Sequence, residues 1–145
     1  MFFRIIGSVA LTAGLVLLAA SSAAAQEKEV KKAPIQQTNA SSGAEMYKTY
    51  CSACHGKDGK GDGPAAPELK VAPPDLTLLA QKNGGKFPAD MVATVLRYGA
   101  KAPAHGTPEM PTWGPLFQSL SPSDSSQVNL RISNMTNYIK SIQAK

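Results

Sequence analysis

The chain has 145 residues, the size of one ordinary domain. Hydrophobic residues make up 43% and charged residues 17% of it, which excludes both a disordered tail and a protein with many membrane spans. The 15 basic and 10 acidic residues leave a net charge of +5, too mild an excess for the clustered basic surface of a nucleic-acid-binding protein.

Residues 1–25 have the features of a secretory signal peptide. Arg4 is their only charged residue, an apolar stretch follows over 5–20, and residues 23–25 read Ala-Ala-Ala. The apolar stretch is shorter than the ~20 residues that a membrane-spanning helix needs. We therefore expect cleavage after Ala25 and a periplasmic protein, in preference to an uncleaved membrane anchor.

The rest of the chain divides into a leader and one domain. Residues 26–41 are polar and lack apolar periodicity, so we expect a flexible leader. Residues 42–145 contain helical patterns, and no stretch alternates apolar and polar residues as a half-buried strand does. The predicted fold class is therefore all-α, with three main helices and one short one.

Capping signals mark where these helices begin. Ser42 and Glu45 form a capping box before the first helix, and Asp75 caps a short turn over residues 76–81. Pro88 and Gly99 bracket the next helix over residues 89–98. Its predicted buried face consists of Met91, Val92, Val95 and Leu96.

The last predicted helix opens at Ser121, Pro122 and Asp124. Its apolar residues recur at intervals of four and three, as expected for one buried face. They are Val128, Ile132, Met135, Ile139 and Ile142.

Two long Gly/Pro-rich loops, residues 56–74 and 100–115, connect the helices. Loops of this length inside a compact domain usually have a function. The domain also has few large apolar side chains, so a bound cofactor is expected to complete its core.

Residues 51–55 read Cys-Ser-Ala-Cys-His and predict that cofactor. Cys51 and Cys54 lie one helical turn apart, so both thiols can add to the vinyl groups of a single haem. His55 follows at once and can reach the iron from the same side. This is the attachment pattern of c-type haem, and it uses both cysteines of the chain.

Three other interpretations of the motif are weaker. A redox-active Cys-x-x-Cys belongs in a βαβ context. A zinc site would need His105 as the fourth ligand, and adjacent Cys54 and His55 fit poorly around one tetrahedral ion. A local disulfide explains neither His55 nor the missing core.

A second axial ligand must come from elsewhere in the chain. Met110 lies in a loop between Pro108 and Pro111, which stiffen it, and Met/His ligation is typical of electron-transfer haems. His105 is the alternative. Met46 precedes Cys51 on the same predicted helix and so lies on the His55 side of the haem. Met91 and Met135 lie in apolar helix faces and are better explained by core packing.

With these motifs, residues 42–145 resemble the bacterial class I c-type cytochromes. The most specific shared stretches are the Cys-x-x-Cys-His motif and the Met-Pro-x-Trp sequence that begins at Met110. The resemblance implies a small all-α fold wrapped around one covalent haem c, with His55 and Met110 as axial ligands. It also implies that the first and last helices cross, with Gly43 and Tyr47 facing the Tyr138 end of the last helix.

The resemblance further suggests residues of the haem pocket. A backbone carbonyl in the loop after His55 would hold the histidine ring, with Pro64 as the first candidate and Pro67 and Pro74 as alternatives. Trp113 would either hydrogen-bond a haem propionate or pack on the haem ring. Arg97 would pair with a propionate or lie in solvent.

The expected function is transfer of one electron between exported or membrane-bound redox proteins, by a carrier that is not itself an enzyme. No nucleic-acid partner is expected, because the excess of basic residues is mild. No small-molecule substrate is expected, because a six-coordinate iron has no open site. The alternatives are a haem c subunit of a larger oxidase or dehydrogenase complex and, less favoured, a sensor of haem ligands.

Overall fold

The computed structural model describes residues 34–100 and 110–145, and all regular structure in these two stretches is helical. This confirms the all-α class. Two single turns of 3-10 helix span Ala66–Glu68 and Leu76–Leu78. No helix in the described ranges is both long and apolar enough to cross a membrane. The α-helices are α1 (Gly43–Tyr50), α2 (Ser52–His55), α3 (Leu79–Lys82), α4 (Ala89–Tyr98), α5 (Trp113–Leu120) and α6 (Ser125–Ser141).

The predicted helix caps are present. Ser42 Oγ accepts a hydrogen bond from the Glu45 backbone N–H at the start of α1 (3.2 Å). Asp75 caps the turn before α3, and Asp124 Oδ1 accepts from the Ser126 N–H at the start of α6 (2.9 Å). Each cap satisfies a backbone donor that has no partner within its own helix. In the capping box, the Glu45 carboxylate accepts from Asn39 N instead of returning to Ser42.

Helix α6 packs against α1, α4 and α5 and organises the core. Its crossing with α1 depends on Gly43, where an added Cβ would lie 2.2 Å from the Asn134 carbonyl oxygen. Beside this contact, the rings of Tyr47 and Tyr138 pack with centroids 5.2 Å apart. The predicted contact between a small residue and aromatic rings is therefore confirmed.

Helix α5 was not predicted, because Gly114 and Pro115 suggested that the loop continued. Both residues lie in the first turn of α5, where proline is tolerated since its missing N–H has no helical partner anyway. The spacing of the apolar residues at positions 113, 116, 117 and 120 is helical and would have indicated the element.

The predicted buried face of α4 is correct only in part. Val92 and Leu96 are buried and Val95 is half-buried, but Met91 is 52% exposed. Residues 92 and 96 are four apart and share one face, whereas position 91 lies about 100° around the helix from position 92.

The prediction of a flexible leader over residues 26–41 is wrong for its last part, because residues 34–41 pack against α1 and α6. We call this segment the strap. Ile35 packs against the core, the Tyr50 hydroxyl donates to the Gln36 carbonyl, and Asn134 Nδ2 donates to the Ala40 carbonyl (2.9 Å). Ordered packing thus begins before the predicted boundary at residue 42. The signal peptide and residues 26–33 lie outside the described residues.

Candidate functional site

The Cys-x-x-Cys-His motif forms the junction between α1 and α2. Cys51 lies between α1 and α2 and caps both. Its carbonyl accepts hydrogen bonds from Cys54 N (3.2 Å) and His55 N (2.9 Å), so the motif makes one compact turn. Cys51 is 6% exposed, Cys54 is half-buried, and neither forms a disulfide. Met135 of α6 lies against Cys51, with its Sδ 3.8 Å from Cys51 Sγ.

The environment of Cys51 does not support a redox-active dithiol. Burial, with a smaller contribution from nearby Cys54, raises the pKa of the Cys51 thiol to about 12. Redox-active cysteines have the opposite property, a thiol pKa lowered below its ordinary value. The described ranges also contain no strand that could supply a βαβ context.

The glycine-rich loop after His55 folds back over α2. Gly61 N donates to the His55 carbonyl (2.9 Å), Gly63 N to the Cys54 carbonyl (3.1 Å) and Ala65 N to the Ala53 carbonyl (2.8 Å). These bonds satisfy carbonyl groups that the short helix leaves without partners at its C-terminus. The loop therefore fixes the backbone that carries Cys54 and His55.

The same loop orients the ring of His55. Its Nδ1 lies 3.4 Å from the Pro74 carbonyl oxygen, whereas the first candidate for this role, Pro64, is exposed. An added Cβ on Gly61 would lie 2.3 Å from the Pro73 carbonyl oxygen, so only glycine permits this close passage of the loop beside Pro74. The partner is thus Pro74, one of the alternatives.

This arrangement suits a metal-binding imidazole. Burial lowers the pKa of His55, and the Pro74 carbonyl opposes this effect only in part. A lowered pKa keeps the ring neutral, which is the form that binds metals. Because Nδ1 faces a carbonyl, Nε2 is the nitrogen left for a ligand.

Tyr47 is a supporting residue whose hydroxyl had no predicted role. Its hydroxyl donates to the Gly56 carbonyl (2.8 Å) directly after His55, and burial, followed by the proximity of Cys51, raises its pKa. A buried tyrosine four residues before the first cysteine was predicted only as a packing residue. Its hydrogen bond depends on how the loop folds back, which spacing does not reveal.

The other predicted pocket residues have mixed surroundings. Met110 is half-buried and packs against the core. Trp113 is 7% exposed and stacks on Phe117 with ring centroids 5.7 Å apart, and its expected contact with the haem stays a prediction. Arg97 Nη2 donates to Asn129 Oδ1 (2.8 Å) and so links α4 to α6. His105 lies outside the described residues.

A family model decides which class of protein this is. The model described as Cytochrome C oxidase, cbb3-type, subunit III matches residues 38–128, well over half of the chain. The chain belongs to this family. It is thus a c-type cytochrome, an electron-transfer protein with covalently bound haem c. No curated protein and no solved structure matches the cytochrome.

The side chains of this cytochrome fit the cofactor. Two free thiols lie one turn apart, and a buried histidine beside them has its Nδ1 at a carbonyl. Over residues 34–100 and 110–145, no group of three or more His, Cys, Asp or Glu side chains is arranged to hold a bare metal ion. A zinc site thus gains no support from these residues, whereas covalent haem needs only the two thiols and the imidazole.

The close contact at Gly63 gives a test of how the loop supports the motif. An added Cβ would lie 2.4 Å from the Ala53 carbonyl oxygen and 2.6 Å from the Cys54 carbonyl carbon. Gly63→Ala should therefore displace the backbone at Cys54, reduce the haem content per chain and destabilise the fold by roughly 1–3 kcal/mol. Haem absorbance per chain and urea unfolding measure the two effects.

The matched control is Gly84→Ala. Gly84 has a positive φ of 66° but no atom within 4 Å of an added Cβ. In this variant, backbone strain alone should lower the free energy of unfolding by about 1–2 kcal/mol, and the haem content should stay full. Equal haem content in the two variants would mean that the loop does not position the motif.

Proposed function

We propose that the cytochrome carries one electron at a time on a single haem c joined to Cys51 and Cys54, with His55 and Met110 as axial ligands. When bound, this haem supplies an Fe(III)/Fe(II) couple that accepts and releases one electron. The observation that carries the proposal is the compact turn over residues 51–55, in which the buried His55 ring is held at the Pro74 carbonyl with Nε2 left free.

The two cysteines would play unequal roles. Cys51 is buried against Met135 and anchors one attachment point inside the core. Cys54 is half-buried, and its neighbour Ala53 is exposed. The second attachment point therefore lies close to the surface, and we assign the electron port to this edge of the protein.

Met110 would close the opposite side of the iron. It is followed by Pro111, whose fixed φ restricts the chain and so lowers the entropy lost when the thioether is held in place. A methionine ligand favours the reduced state and leaves no open position for a substrate. We therefore propose a carrier that has no reaction of its own.

A haem c subunit of an oxidase complex is the second candidate, and the family description favours it. That description names subunit III of a cbb3-type oxidase. In such a complex the partners would be a redox donor on one side and the other subunits on the other. The electron-carrying role of the haem is the same in both cases.

One purification distinguishes these candidates and the ligand sensor. The protein is extracted from its own host in mild detergent and run on a size-exclusion column. The absorption spectrum of the reduced protein is then recorded with and without carbon monoxide. A free carrier should elute as a monomer, and an oxidase subunit should elute with haem-containing partners. Carbon monoxide should leave the spectrum of a monomeric carrier unchanged, whereas a rapid spectral change in a monomer would indicate a ligand sensor. In an oxidase complex the oxygen-reducing subunit would itself bind carbon monoxide, so the size and subunit content of the complex identify that case.

We also propose a periplasmic location after removal of residues 1–25. The support is the Arg4, apolar-stretch and Ala-Ala-Ala pattern. N-terminal sequencing of the mature protein should begin at Gln26. A mature chain that begins at Met1 would instead indicate an uncleaved N-terminal anchor.

A further inference from the structure

Arg131 is a buried cation to which the proposed electron transfer assigns no role so far. It lies on α6 and is 4% exposed. Its Nη1 donates to Thr38 Oγ1 (2.9 Å) and lies 3.7 Å from Met46 Sδ, and its Nη2 donates to the Thr38 carbonyl (3.0 Å). The Phe117 ring centroid lies 5.8 Å from Cζ, and Nε has no hydrogen-bond partner among the described residues.

All these partners are neutral, so within the described residues the charge of Arg131 is not balanced by a carboxylate. An arginine side chain is always charged in proteins. A buried charge is weakly screened, and its field therefore reaches farther than that of a surface lysine or arginine. The charge of Arg131 can therefore act on a redox group bound elsewhere in the core.

Two helices lead from Arg131 to Cys51. Met135 lies four residues after Arg131 on α6, and its Sδ is 3.8 Å from Cys51 Sγ. Met46, which the guanidinium contacts, lies five residues before Cys51 along α1. With a rise of about 1.5 Å per residue, each route spans only about 6–8 Å along a helix axis.

We propose that the positive charge of Arg131 raises the reduction potential of the haem attached at Cys51. Arg131 would thus tune electron transfer without touching the haem iron. The inference rests on the proposed attachment site. Reduction transfers one electron from the donor protein to Fe(III), and the positive charge of Arg131 stabilises the electron that arrives. If the guanidinium and the iron lay on the order of 12 Å apart at an effective dielectric constant of about 20, Coulomb's law would give about a tenfold change in the Fe(II)/Fe(III) ratio.

The first test is a spectroscopic redox titration of the holoprotein with Arg131→Gln. Glutamine removes the charge and keeps an amide that can donate to Thr38. The Fe(II)/Fe(III) ratio at fixed ambient potential should fall about threefold to tenfold, a shift of roughly 30–60 mV at ~59 mV per tenfold. Arg131→Lys should keep the Fe(II)/Fe(III) ratio within about twofold of wild type, a shift of at most about 18 mV at ~59 mV per tenfold, since it keeps the charge.

Lys140→Gln is the matched control, because it removes one positive charge from an exposed position on the same helix. Water and salt screen that charge, so its shift should be less than half that of Arg131→Gln. An unchanged potential in Arg131→Gln, or an equal shift in Arg131→Lys, would overturn the proposal.

A second pair of variants keeps Arg131 and changes its partner in the strap. Thr38→Asp places a carboxylate beside the guanidinium, whereas Thr38→Asn offers a neutral oxygen of similar size. The potential should fall in the aspartate variant only, and equal potentials would contradict the proposal even if Arg131→Gln failed to fold. Mass spectrometry checks that the haem is still on Cys51 and Cys54, so failure of the attachment site is distinguished from failure of the Arg131 inference.

Discussion

Replacing both Cys51 and Cys54 with alanine is expected to abolish stable haem binding and most of the folded protein with it. The described ranges bury only eleven hydrophobic side chains, and Cys51 is one of them. Without the thioether bonds, the haem can dissociate from the histidine. Its apolar surface is then lost from a core that has little else to bury. Haem absorbance per chain and far-UV circular dichroism measure the two losses.

Ser52→Ala is the matched control for this pair. Ser52 lies between the cysteines, is half-exposed, and its hydroxyl only donates to the Lys48 carbonyl of the preceding turn (2.6 Å). The alanine variant should keep its full haem content. If the double cysteine variant retained tightly bound haem after acid–acetone extraction, attachment at these two thiols would be refuted.

Replacing Met110 with alanine is expected to change the redox chemistry while leaving the fold intact. Loss of the thioether should lower the reduction potential by tens to hundreds of millivolts, within the roughly 0.8 V range that axial ligands span. It should also open a position for carbon monoxide. Cys51, Cys54 and His55 would still hold the haem, so the haem content should stay close to that of the native protein.

Other axial-ligand variants complete this test. Met110→His should restore a low-spin spectrum at a lower potential than wild type. Met91→Ala should leave the spectrum unchanged, because Met91 is 52% exposed on α4. If His105→Ala opened the site to carbon monoxide and Met110→Ala did not, the iron would have two histidine ligands.

Helices were predictable wherever a capping residue and an apolar period agreed. Ser42, Asp75 and Asp124 all cap the elements predicted for them, and Ala89–Tyr98 has the predicted bounds. Helix α5 was missed because Gly114 and Pro115 indicate a loop when local propensity is considered alone. The order of the strap was missed for a related reason, since its polar residues are held by long-range hydrogen bonds to Tyr50, Arg131 and Asn134.

The reactive groups of the site were more predictable than the surrounding residues that hold them in place. A motif of five adjacent residues specifies thiols and imidazole, because the spacing itself places them on one turn. The carbonyl beside His55 could not be chosen between Pro64, Pro67 and Pro74, since that depends on the path of a loop held by Gly61 and Gly63. A buried arginine such as Arg131 gives no sequence signal at all, because arginine is normally exposed.

The most direct test of haem attachment at the motif is mass spectrometry of a tryptic digest of the purified protein. Trypsin cleaves after Lys48 and Lys57, which releases residues 49–57 with both cysteines and His55. We predict that this peptide carries the mass of one haem and that neither cysteine reacts with a thiol-alkylating reagent. A haem-free peptide with both cysteines alkylated would show that haem is not attached at Cys51 and Cys54.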